Sequence, residues 1–99
     1  MDERRLIESL LSDGHVNQSQ LKMWSDAAGL LAALDAIGRE GASAVFKFDG
    51  ARVDGLVYTV VVSGGRLGET FFRKDSDDFA SLLVEAVEFY KTRVWSDSV

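Results

Sequence analysis

A chain of 99 residues, 46% hydrophobic and 27% charged, is read as a single compact domain over residues 1–99, long enough to bury about 60–70% of its unfolded surface. Eleven basic residues against sixteen acidic ones leave a formal net charge of −5, which argues against direct nucleic-acid binding, because that needs clustered lysine and arginine. The absence of cysteine excludes a disulfide framework and a thiolate metal site and fits a cytoplasmic setting, while no run approaches the about eighteen apolar residues of a membrane span.

Asp2 and Glu3 stand where a helix N-terminus favours negative charge, and Leu6, Ile7, Leu10 and Leu11 form an apolar stripe about three turns long. Gly14 is a left-handed stop. So short a helix is marginal in water, so it is expected to exist by packing on something. The opening MDERRLIESLLSDG is charged at once, and its apolar stretch is too short for a signal peptide. His15, the single histidine, follows in the linking turn. One histidine cannot make a multi-histidine metal site, and this one reads as a structural or exposed turn residue.

A second helical region opens at Asn17, a good cap, and runs to Ile37 before Gly38. Leu21, Met23, Trp24, Ala27, Ala28, Leu30, Leu31, Leu34 and Ile37 cover more than half of its circumference, which means burial on more than one side. The pattern is compatible with one helix or with two pieces divided near Ser25-Asp26. Trp24, spaced with leucines, is read as core rather than as an interface anchor.

Residues 42–48, ASAVFKF, are the first strand, with Ala44, Phe46 and Phe48 on one face and Val45 and Lys47 on the other. That alternation marks an edge strand with one covered face. The following loop holds two Asp-Gly pairs, Asp49-Gly50 and Asp54-Gly55, and each is a turn signal. Either closes the connection. Residues 56–74 then read as a hairpin whose tight turn is Gly64-Gly65. In that register Val62 faces Leu67, Val60 faces Glu69 and Tyr58 faces Phe71. Leu56, Tyr58, Val60 and Val62 line the core face, and Val57, Thr59, Val61 and Phe72 share the other, a candidate interface if no helix covers it. A slip of one residue exchanges the two sets.

Asp75-Ser76-Asp77-Asp78 supplies a cap and a negative start for the last helix. Phe79, Leu83, Ala86, Val87, Tyr90 and Val94 follow at helical spacing, broadened by Leu82 and Phe89. Ser81, Glu85, Glu88 and Thr92 form the solvated face. Trp95 is placed to fold back on the core, and Ser96 to Val99 are expected to fray.

The fold class is α+β: a three-stranded antiparallel meander packed against helices, in the order α-α-β-β-β-α, with the valine-rich strand central. A helix, three meander strands and a final helix is also the order in double-stranded-RNA-binding domains, a likeness of topology alone. Where such a domain grips phosphate, this chain has Lys74-Asp75-Ser76-Asp77-Asp78, whose carboxylates repel it.

No motif assigns a catalytic residue, a metal or a cofactor. Gly64-Gly65-Arg66-Leu67-Gly68 lies between strands, without the helix N-terminus of a phosphate loop. Asp75, Asp77 and Asp78 lack the glycine and the distant glutamate of an EF-hand loop and read as capping residues. The chain is therefore read as a non-enzyme: a small acidic module that docks on another protein with a basic surface, as an inhibitor or antitoxin-like neutraliser. Asp75, Asp77, Asp78, Glu85 and Glu88 are the candidate contacts, since clustered charge steers such encounters. A self-associating domain, a homodimer through the sheet, is the second reading. A small enzyme or ligand-binding domain using the cleft between sheet and helix is the third.

Overall fold

The sheet forms where the valine-rich run meets its two neighbours. Strands β1 (Ser43–Phe48), β2 (Tyr58–Ser63) and β3 (Phe72–Ser76) make an antiparallel meander with β2 central, in a computed structural model that describes residues 2–95. Helices α1 (Glu3–Ser12), α2 (Gln18–Asp26) and α3 (Ala28–Arg39) precede the sheet, and α4 (Phe79–Tyr90) follows it. The α+β class and the helix-covered meander are as the sequence predicts. The second helical region resolves into two helices at Ala27, whose N–H reaches back to Met23 and Trp24 while α3 starts without a side-chain cap.

Local signals explain most of the boundaries. Asp2 accepts from the Arg5 N–H at 2.8 Å and caps α1, and Gly14 takes φ +83° just beyond the helix end. Asn17 and Gln20 form a reciprocal capping box at the start of α2. Asp78 accepts from both the N–H and the hydroxyl of Ser81 and starts α4. Directly after α4, Lys91–Trp95 make a π-helical turn, and Trp95 folds back as expected: its indole N–H donates to Glu40 at 2.7 Å and its ring meets Tyr90 edge-on. The Tyr90 hydroxyl donates to the same carboxylate at 2.8 Å, so Glu40, at the end of α3, is tied to the end of α4 by two donors. Burial and then Glu40 push the Tyr90 pKa up. The expectation for Ser96 to Val99 lies outside the described residues.

The core sits between the sheet and α3 and α4. Ile37, Val60, Val62, Leu82, Leu83, Ala86 and Tyr90 are fully buried. α2 seals one end through Trp24, which stacks on Phe79 at 3.7 Å and 3° and lies within 6.5 Å of Phe46, Phe48 and Tyr58. Trp24 is half-buried in this ring cluster, while Phe48 at its rim is 64% exposed. α1 contributes no buried residue. The radius of gyration, 15.7 Å, exceeds the about 13 Å of a compact chain this size, in keeping with a helix outside the core.

Both connections between strands differ from the tight turns read in the sequence. Between β1 and β2, neither Asp-Gly pair makes a two-residue turn. Phe48 pairs with Tyr58, the Asp49 N–H reaches the Val57 carbonyl, and Asp49 and Asp54 each fold their carboxylate back on the N–H two residues on. Between β2 and β3, Gly64 and Gly65 both take positive φ, but the chain enters a 3₁₀ turn, Gly65–Leu67, instead of reversing. Leu67 is thereby buried at 6% exposure, and Thr70 donates its hydroxyl to the Leu67 carbonyl. Val62 consequently pairs with Phe72 rather than Leu67, and Tyr58 with Ser76 rather than Phe71. The odd shift of five positions exchanges the faces of the third strand. β3 therefore ends at Ser76, and Asp75 is a strand residue, not a helix cap.

Candidate functional site

The corrected register divides the surface into two faces of different character. On the helix side, Phe72 meets Phe89 of α4 with ring centroids 5.7 Å apart, and Lys74 donates to both carboxylate oxygens of Glu85 at 2.8 Å. Phe72 thus does not share a face with Thr59 and Val61, as the tight-turn register required. It lies on the covered face beside Val62. Two residues of β3 rise roughly 7 Å and the four from Glu85 to Phe89 rise roughly 6 Å, so strand and helix stay in step as they run antiparallel.

Between that edge strand and α4 lies a groove of about 470 Å³, lined by Phe72, Glu85, Glu88, Phe89, Thr92 and Arg93. β3 is the last strand of the sheet, so the groove lies beside a strand edge that is unpaired among the described residues. Its floor is aromatic. Glu85 is neutralised by Lys74 at one end, the Arg93 guanidinium lies 4.8 Å above the Phe89 ring at the other, and Glu88 stands between them on the exposed side of α4. Phe71, just before β3, is 62% exposed.

The opposite face of the sheet carries a polar network instead. Thr59 donates its hydroxyl to Asp75, and Arg52, reaching over from the β1–β2 loop, contacts Asp75 at 3.1 Å and Asp54 at 2.7 Å. Arg73 approaches the same Asp75 oxygen at 3.6 Å, and Lys47 pairs with Asp49 at 3.3 Å. The Thr59 hydroxyl and then the Arg52 guanidinium hold the Asp75 carboxyl below the usual carboxylate range, against its partial desolvation. Asp54 in turn raises the Arg52 pKa, with Asp75 the next contributor. Three cations meet three carboxylates, so this face is balanced. Val57 and Val61 are half-buried, and Val45 is 49% exposed.

A smaller groove, about 350 Å³, lies between α3 and β1 and is lined by Leu34, Asp35, Gly38, Arg39 and Ala44. Its two charged residues neutralise each other at 2.8 Å. Among the described residues, no group of three His, Cys, Asp or Glu side chains is placed to hold a metal ion, and no helix is long and apolar enough to cross a membrane.

The five acids singled out in the sequence therefore separate. Glu85 and Glu88 line the groove together. Asp75 is spent in the network on the far face, Asp78 caps α4, and Asp77 is exposed at the bend between β3 and α4. The sequence pattern puts Phe89 in the core and Thr92 on the solvated face, and does not show that they form one wall with Arg93. The signal was present in the spacing: Glu85, Glu88, Phe89 and Thr92 recur at i, i+3, i+4 and i+7, one helix stripe along the border of the buried face.

Fold and groove together define a class: a three-stranded antiparallel sheet with helices on one face and an aromatic, partly acidic groove along its final edge. The chain matches no family model, and no curated protein or solved structure is significantly similar to it.

Proposed function

We propose that this chain is a small acidic protein-binding module and that it holds its partner in the groove between β3 and α4. The supporting observation is that Glu88, an acid with no ion pair among the described residues, stands beside two aromatic side chains, Phe72 and Phe89, next to a strand edge unpaired among those residues, while Glu85 is neutralised by Lys74. Aromatic anchors supply most of the energy of protein interfaces, and rim charge supplies steering and selectivity. The partner suited to it presents an apolar side chain flanked by lysine or arginine. A cysteine-free chain is at ease in the reducing cytoplasm, and binding there is enough to inhibit a partner whose basic surface is its working surface.

The experiment is capture of a partner on the immobilised chain, followed by titration of the purified pair with salt. Raising salt from 50 to 500 mM is expected to weaken binding roughly tenfold or more, because screening shortens the reach of exposed charge to a few ångströms. Affinity that is the same at both concentrations would defeat the electrostatic part of the proposal.

A further inference from the structure

We propose that the occupant of the groove is an extended segment of the partner protein, added to the sheet as a fourth strand on the outer edge of β3. The inference rests on the protein-binding reading above and adds the backbone mode. β3 ends the sheet, five residues from Phe72 to Ser76 with no strand on its outer side among the described residues. An unpaired edge is a template for another chain, and strand addition gives affinity through main-chain hydrogen bonds and selectivity through pockets for alternate side chains. On the helix side the groove supplies such a pocket. Strand side chains on the helix side point into the groove, and those on the other side lie beside Arg73.

The groove sets the sequence of the incoming strand. Its aromatic floor, Phe72 and Phe89, takes an apolar side chain, and Glu88, whose carboxylate has no hydrogen bond or ion pair among the described residues, takes a lysine or arginine. Both ligands belong to one face, so they stand two residues apart. A second copy of this chain fits poorly. The two-fold pairings that engage at least three residues of β3, those centred on Arg73, Lys74 or Asp75, set that residue against itself, a like-charge pair in every case. The occupant is thus a different protein.

The test uses the full chain and a phage-displayed library of random nine-residue peptides. Selected peptides are expected to carry an apolar residue two positions from a lysine or arginine, and to shift backbone NMR signals of residues 72–76 and 85–93. Glu88→Lys is expected to weaken binding at least tenfold, as is N-methylation of alternate peptide amides. Peptides that occupy the groove, lose affinity with Glu88→Lys and yet tolerate N-methylation at every position would overturn strand addition while leaving the groove as a docking site. Concentration-dependent shifts of residues 72–76 in the free chain would overturn it too, in favour of self-pairing. Selected peptides that shift only signals elsewhere, or no selection above background, would remove both this inference and the reading on which it rests.

Discussion

Gly65 shows how much a single position can carry. Its φ is +55°, and a Cβ built there would stand 2.8 Å from the Ala42 nitrogen, a backbone atom that cannot swing away. Gly50 has neither constraint: its φ is not positive and nothing lies within 4 Å of its Cβ direction. Gly65→Ala is predicted to destabilise the fold by about 2 kcal/mol or more, and Gly50→Ala to leave the urea midpoint nearly unchanged. Equal midpoints for the two variants would refute the close approach. Acid sensitivity also belongs to individual residues. Asp75 is held below the usual carboxylate range first by the Thr59 hydroxyl, and Asp78 first by the Ser81 N–H. A depressed folded pKa stabilises fully above the unfolded value, about 4, and that contribution is lost as pH falls through the folded value. The urea midpoint is therefore expected to be flat from pH 7 to about pH 5 and to fall below that. Asp75→Asn should lie below the unsubstituted chain at neutral pH and converge with it in strong acid; a constant gap at all pH values would contradict the assignment.

Elements differ in how openly the sequence announces them. α4 is legible almost residue by residue, because Asp78 caps it and its stripe, Phe79, Leu82, Leu83, Ala86 and Tyr90, is the buried face. β2 is equally plain, since a central strand in this chain reads as a valine-rich, mostly apolar run. β3 is not. Its register depends on how Gly64-Gly65 is spent, and the choice turns on the burial of Leu67, a tertiary contact that no local pattern encodes. Glycines that permit a tight turn permit a 3₁₀ turn as well, so the sequence allowed both registers and the core selected one. α1 is the converse case: its helix is legible, but its apolar stripe finds no core in this chain, and none of its residues is buried. Removing residues 1–13 is predicted to cost the remaining fold less than ~1 kcal/mol. Loss of cooperative unfolding on truncation would mean that α1 is part of the core after all.

At the scale of the molecule, half of the candidate site could be read beforehand. Glu85 and Glu88 were visible as acids on the exposed side of a strong helix, but what gives them a role is Phe72, which reaches them only in the observed register. The same shift moves Asp75 to the far face, where Arg52 and Arg73 hold it, and so turns a presumed docking acid into part of a balanced network. The two sheet-flanking surfaces now make opposite claims on a partner, and exposed side chains at each allow a direct comparison. Capture of the partner by three forms of the chain, unsubstituted, Glu88→Lys in the groove and Val45→Lys on the far face, measured as a dissociation constant for each, separates them. Docking in the groove predicts at least a tenfold loss for Glu88→Lys and little change for Val45→Lys; loss with Val45→Lys alone would contradict it and move the interface to the open face of the sheet.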